Sequence, residues 1–284
     1  MKNYRENLVG VFGDPVDENP TGAILQSGFD ELGLNFRYVT VKVEKNALEA
    51  AMAGMRAMNF TGIGITMPHK KTVLKYLDGV SDEARVMGAV NTVYWKDGKL
   101  FGENVDGKGF MMSLYDKGYD VKGKKATVLG AGGAASAIAV ELAFAGVSRI
   151  TIVNIDENQG MTLVNSINQN TDTKADFVLW DGAYKVSSDT DILVNATSIG
   201  FANAEDIPNV DYTTVTADMA VCDVIPNRAT TRFLDTAKQK GCETFSGLEM
   251  LVNQATLCFK IWTGVEAPRE TMKKTLKMEF NIVD

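Results

Sequence analysis

A chain of 284 residues is long enough for two domains at the usual ~100–200 residues each. Its 45% hydrophobic and 23% charged residues are ordinary for a globular protein in water. The net charge of -7, with no Lys/Arg block, speaks against nucleic acid as a partner.

The opening run MKNYRENLVGVFG mixes polar and apolar residues too early for a signal peptide. LVGVF (8–12), FRYVTVKV (36–43) and GIGIT (62–66) have the apolar, β-branched character of strands. Between them, GAILQSGFDELG (22–33) and NALEAAMAGMRAM (46–58) have helical periodicity, with Gly33 as a C-terminal stop. Residues 88–104 predict a hairpin turning at Asp97-Gly98. A second series follows: KATVLG (125–130), a helix from Gly133, RITIVN (149–154), DFVLW (176–180), DILVNAT (191–197) and MAVCDVI (219–225). Strands alternating with helices predict an α/β protein with a mostly parallel sheet covered on both faces. The domain boundary falls near VDGKGF (105–110). The longest apolar stretch, AIAVELAFAG, carries Glu141 and is too short to span a bilayer, so no membrane partner is expected. Cys222, Cys242 and Cys258 form no CxxC pair, and one histidine cannot build a histidine-rich centre. Neither a disulfide framework nor a metal site is expected, and the composition predicts a cytoplasmic protein.

VLGAGGAASAIAVELAFAG (128–146) is a strand, a glycine turn and a small-residue helix. Gly130, Gly132 and Gly133 permit a tight turn and close backbone approach to a pyrophosphate, which the helix N-terminus then attracts. The next strand ends at an acid, Asp156, and NATSIG (195–200) follows another strand, where open α/β sheets bind ligands. A glycine turn that only joins strand to helix is the bland alternative.

GVFGDPV, ITMPHKK, GAVNTV, ENVDGKGF, VLGAGGAA, NATSIG and GLEMLVNQA…WTG together resemble the shikimate dehydrogenase and quinate/shikimate dehydrogenase family, in family order over nearly the whole chain. The resemblance implies a substrate-binding α/β domain at 1–106, joined by C-terminal helices at 248–284, and a Rossmann dinucleotide-binding domain at 107–247. It implies reversible hydride transfer between nicotinamide and the ring carbon that links 3-dehydroshikimate to shikimate, a step of aromatic amino acid biosynthesis. Lys70 of PHK and Asp106 of NVDG match the family's catalytic pair. A ketone that gains a hydride develops negative charge on oxygen, and a positioned ammonium can give it a proton. His69 has a suitable ordinary pKa, but many members carry Phe there, which implies packing. Thr66, Asn91 and Gln254 match substrate-contacting positions. Gln254 falls at the edge of a helical stripe through Leu251, Ala255, Cys258 and Trp262. Ala134, Asn154, Thr197 and Gly247 complete the cofactor contacts.

The chain departs from the family where two serines hold the substrate carboxylate. Asn19 and Thr21 stand there and can still donate hydrogen bonds. Gly64 and Pro226 replace an asparagine and a tyrosine on the same side of the pocket. A paralogue acting on quinate, aminoshikimate or another cyclic polyol carboxylate therefore stays open, as does a catalytically idle nucleotide-binding protein. The segment VNIDENQG (153–160) lacks the arginine that NADP-using members place after this strand. Asp156 would accept hydrogen bonds from a free ribose hydroxyl and repel a 2′-phosphate, so NAD is expected over NADP. Expected partners are a small-molecule substrate and, at most, a second copy in a homodimer.

Overall fold

The computed structural model describes residues 4–283. The chain divides into two compact units, Met1–Val105 with Val252–Asp284, and Asp106–Leu251. In chain order, the first unit begins with β1 (Asn7–Gly13), α1 (Thr21–Glu31), β2 (Phe36–Lys42), α2 (Leu48–Ala57) and β3 (Gly62–Ile65). β4 (Gly79–Val80), α3 (Asp82–Met87), β5 (Thr92–Lys96) and β6 (Lys99–Glu103) follow. The second unit runs through α4 (Asp106–Tyr115), β7 (Lys125–Leu129), α5 (Gly133–Phe144), β8 (Arg149–Asn154), α6 (Glu157–Asn170) and β9 (Lys174–Leu179). It continues with β10 (Ile192–Asn195), β11 (Ala220–Asp223), α7 (Arg232–Gln239) and β12 (Glu243–Phe245). The last helices are α8 (Gly247–Thr263) and α9 (Arg269–Glu279). No described helix is long and apolar enough to cross a membrane.

The first unit is a six-stranded sheet in the order β2-β1-β3-β5-β6-β4. β1 runs parallel to β2 and β3, while β5 runs antiparallel to β3 and β6. The predicted β5–β6 hairpin turns through Asp97 and Gly98 at φ 51° and 72°, the double left-handed step of a two-residue turn. One face packs against α2 through Phe12, Met52, Met55, Ile63, Ile65 and Val93. On α1, Phe29 stacks on Phe259 of α8 at 5.1 Å. β3 is buried at all four positions, GIGI. Its glycines answer a packing demand: a Cβ on Gly62 would lie 2.2 Å from the Trp262 indole nitrogen of α8.

The second unit is a parallel sheet in the order β12-β11-β10-β7-β8-β9. The chain winds outward from β7 in both directions, so the turn from β7 into α5 lies at the topological switch point, where such sheets bind ligands. α5 is buried along most of its length because it lies between the sheet and α4. Gly107 makes that approach possible, since its Cβ would stand 2.3 Å from the Ala137 carbonyl oxygen.

The buried Asp223 ties together the strand ends beside the switch point. Its Oδ1 accepts from Asn195 Nδ2 at 3.0 Å and from the Ile225 N–H at 3.2 Å, and its Oδ2 accepts from Thr231 Oγ1 at 2.6 Å. Burial outweighs these bonds and pushes the carboxyl up to about 6. A pKa raised above the ordinary ~3.9 means that folding favours the protonated form. Its stabilisation is complete below about pH 4 and is lost as pH rises through the folded value. Asp223→Asn mimics the protonated side chain without titrating. In urea titrations, the unfolding free energy of wild type minus that of Asp223→Asn should fall by roughly 2 kcal/mol between about pH 4 and pH 7. A difference that stays flat or rises with pH contradicts the buried, raised carboxyl.

Candidate active site

Asn19, Thr21, Thr66, Lys70, Asn91 and Gln254 all line one recess of the first unit. Each arrives there for a local reason. Asn19 lies in the β1–α1 connection and Thr21 opens α1, and Asn19 Oδ1 accepts the Thr21 N–H at 3.0 Å. That bond spends the amide oxygen on the loop and leaves the Nδ2 hydrogens for a ligand. Thr66 follows β3, and its carbonyl accepts the His69 N–H at 2.9 Å, closing the turn that leads into Lys70. The Lys70 carbonyl in turn accepts the Val90 N–H at 2.8 Å. Gly13 leaves room for Thr66, because a Cβ there would lie 2.2 Å from the threonine methyl.

His69 is buried at 0% exposure, with Nε2 2.7 Å from the Val43 carbonyl oxygen. That contact makes Nε2 the protonated nitrogen, and Nδ1 has no partner among the described residues. The imidazole is thus a core side chain beside a pocket lysine, and it does not line the recess.

Asn91 is the most constrained group in the recess. It is 5% exposed, and its Oδ1 accepts from the Val105 N–H at 2.9 Å and from Thr92 Oγ1 at 3.0 Å. Two donors on the oxygen fix which way the amide faces. Its Nδ2 has no partner among the described residues. A buried donor left unmet costs about 1–3 kcal/mol, so a ligand oxygen is its natural complement. The Thr92 hydroxyl that helps hold Asn91 lies 3.2 Å from Cys258 Sγ.

α8 supplies one wall of the recess through Gln254, Cys258 and Trp262, and β2 supplies Tyr38. The sequence pattern gave Cys258 and Trp262 as members of a buried stripe and did not single out Tyr38. Tyr38 lies on a strand that pairs with only one neighbour, and alternation there does not say which face meets a ligand. Asp106 opens the second unit as the first residue of α4.

In the second unit, Gly130, Gly132, Asn154 and Thr197 line a groove of about 500 Å³ together with Ile155 and Trp180. Gly130 has φ 104°, a backbone state reserved for glycine. Gly132 caps α5 and Gly133 is its first residue. A Cβ at either would meet nothing within 4 Å, so open space lies before the first-turn N–H groups. Thr197 Oγ1 donates to Asn195 Oδ1 at 2.7 Å and accepts the Ile199 N–H at 3.1 Å, which shapes the loop after β10. A glycine cradle at a helix N-terminus, with an apolar wall beside it, fits a dinucleotide. Gly133, Ala134, Asp156 and Gly247 are outside this lining. Gly247 instead lets α8 pass the Val224–Ile225 backbone, where a Cβ would stand 2.3 Å from the Val224 carbonyl carbon.

The expected preference for NAD rested on the lack of an arginine in residues 153–160 and on Asp156, and the NADP(+) names of the relatives overturn it. Asp156 is the N-cap of α6, and its Oδ1 accepts the Gln159 N–H at 3.0 Å. Its side chain is engaged in starting a helix, which explains an acid at this strand end without a ribose. The relatives that follow are named for NADP(+).

Residues 11–93 match the shikimate dehydrogenase substrate binding domain, and residues 247–277 match the shikimate 5'-dehydrogenase C-terminal domain. A shikimate dehydrogenase (NADP(+)) of Desulforamulus reducens is 37% identical over 278 residues, covering 96% of each chain. Further relatives at similar identity carry the same NADP(+) name. The ligand-free 5-ketofructose reductase of Gluconobacter sp. strain CHM43 is 43% identical with a TM-score of 0.94, covering 97% of this chain and 99% of that one. Shikimate 5-dehydrogenase of Listeria monocytogenes, solved with shikimate and NAD, is 33% identical with a TM-score of 0.89 over 96% of each chain. With sequence and fold in agreement over nearly its whole length, the chain belongs to the shikimate dehydrogenase family of oxidoreductases.

Proposed function

We propose that this protein is an NADP-dependent dehydrogenase that interconverts a ketone and its alcohol on a polyhydroxylated substrate, with 3-dehydroshikimate and shikimate as the first substrate pair. The observation that carries the assignment is Asn91, a buried amide with its oxygen fixed and its Nδ2 unspent at the recess. Thr21, Thr66 and Gln254 add hydrogen-bonding groups to the same recess. Such a set recognises oxygens on a ring and rejects analogues that lack them, because the unmatched groups stay unpaired. The names of the relatives support NADP.

A nicotinamide, when bound, would supply or accept the hydride. Lys70 holds the proton that the ketone oxygen takes as its charge develops. Asp106, the other residue that the motifs mark, is proposed as the second catalytic group. Asn91, Thr66 and Gln254 orient the ring so that the carbonyl oxygen meets Lys70, and this orientation replaces translational freedom that would otherwise raise the barrier.

A second substrate reading has specific support. Asn19 and Thr21 stand where the family's paired serines hold a carboxylate, and the 5-ketofructose reductase is similar at 43% identity. Lys70 is the one charged side chain lining the recess among the described residues, so a neutral polyhydroxy ketone satisfies it as well. Initial rates decide between the two. Shikimate oxidation and 5-ketofructose reduction should be measured side by side, each with both nicotinamide cofactors. The first reading requires the higher kcat/KM for shikimate, the second requires it for 5-ketofructose, and turnover of neither refutes both. The phosphorylated cofactor should give the higher kcat/KM in either case.

Lys70→Ala is expected to lower kcat by about 10²–10⁴-fold, the usual worth of a positioned proton donor, while KM changes far less. A loss confined to KM would reduce Lys70 to a binding contact. His69→Phe should keep kcat/KM within roughly threefold of wild type, because the ring packs in the core and spends one neutral hydrogen bond of about 1 kcal/mol there.

A further inference from the structure

The recess holds a hydroxyl that no family motif marks. Tyr38 lies on β2, and its backbone N–H donates to Gln26 Oε1 of α1 at 3.1 Å. Its ring rests against Gly22, also on α1: a Cβ at Gly22 would stand 3.0 Å from the ring Cδ1 and 3.1 Å from Cε1. Backbone and ring are thus both referenced to the same helix, and the phenol has little freedom to swing away. The ring lines the recess with Asn91, Gln254 and Cys258. Burial raises the phenol well above its ordinary pKa, and the nearby Cys258 thiol adds to the effect. Cys258 of α8 lines the same recess as Tyr38. The hydroxyl stays neutral at any working pH and can both donate and accept. It makes no hydrogen bond among the described residues.

Other groups with spare capacity carry less. The His69 Nδ1, unpartnered among the described residues, lies in the core and does not line the recess. Asp223 has its bonds within the strand ends. Among the described residues, Tyr38 joins a held ring, an unused polar atom and a place in the recess.

We propose that Tyr38 is a specificity-determining residue of this site, whose hydroxyl hydrogen-bonds one ring hydroxyl of the substrate. The proposal rests on the assignment of the recess to a polyhydroxylated substrate. It makes Gly22 a positioning residue, since any side chain there displaces the ring. It also gives β2 a direct part in choosing the substrate, beyond completing the sheet.

Tyr38→Phe keeps the ring and removes only the oxygen. With whichever of shikimate or 5-ketofructose wild type turns over, KM should rise ~3–10-fold, the range for one neutral hydrogen bond, with kcat within about twofold. Analogues of that substrate, each lacking one hydroxyl, supply the second dimension. For one analogue, Tyr38→Phe should cost nothing further, which identifies the partner hydroxyl; the other analogues should show the full loss. Gly22→Ala should raise KM in the same direction with the hydroxyl still present. A KM for Tyr38→Phe within twofold of wild type overturns the proposal. So does an equal loss for every analogue, or a lowered Tm with KM unmoved, either of which reduces Tyr38 to packing. If wild type turns over neither compound, the substrate assignment itself fails, and the role of Tyr38 falls with it.

Discussion

The recess of the first unit depends on one close approach, that of α8 to β3. Gly62 has no side chain, and the indole of Trp262 occupies that space. The indole N–H then donates to the Val93 carbonyl on β5 at 3.1 Å. The contact fixes α8 against the sheet in both position and rotation, because the hydrogen bond has one partner and the gap admits one ring. On a helix, residues four apart share a face. Seating Trp262 therefore also seats Cys258 and Gln254 along the same wall. Any side chain at Gly62 would lift the helix and open the recess.

From that wall the order passes to Asn91. Cys258 Sγ lies 3.2 Å from Thr92 Oγ1, and Thr92 donates to the Asn91 oxygen at 3.0 Å. Because the threonine proton is committed to the amide, the thiol is left to donate to the threonine oxygen. The direction of each bond follows from the one after it, and the chain ends in an amide whose Nδ2 has no partner among the described residues. An amide with a fixed face discriminates between a ligand acceptor and a ligand donor, which a freely turning amide does not. Preorganisation of this kind lowers the entropy cost of binding and holds a reacting ketone in one orientation.

Much of the fold was legible because its signals are local and repeated. β1, β2, β3 and the β5–β6 hairpin follow directly from alternation and the Asp97-Gly98 turn. The switch-point turn follows from Gly130, Gly132 and Gly133 standing between a strand and a helix. β4, two residues long, and α3, six residues long, are too short for a period to register. Of the recess, the polar residues were legible from motif resemblance. Tyr38 was not, because a tyrosine on a strand next to a helix serves packing as readily as binding. Its separate standing comes from Gly22, against which its ring rests, and from Cys258, which lines the same recess, both distant in sequence.

Asp156 shows how a single residue type can satisfy two physical demands at one place. A helix that follows a strand needs an acceptor for its first free N–H groups, and aspartate is among the best. A ribose at the same strand end needs an acceptor for its hydroxyl, and aspartate is again favoured. Sequence position cannot separate these uses, since both lie at the junction of strand and helix. The bond from the Gln159 N–H shows one oxygen engaged with the helix, so the capping use alone accounts for an acid here. Asn154 strengthens the same junction, donating from Nδ2 to the Asp156 carbonyl at 2.9 Å and to Gln159 Oε1 at 3.2 Å. The β8–α6 turn is thus stabilised by its own side chains, whatever nucleotide lies beyond it. An acid after the second strand of such a sheet bears on cofactor choice only after its capping bonds have been counted.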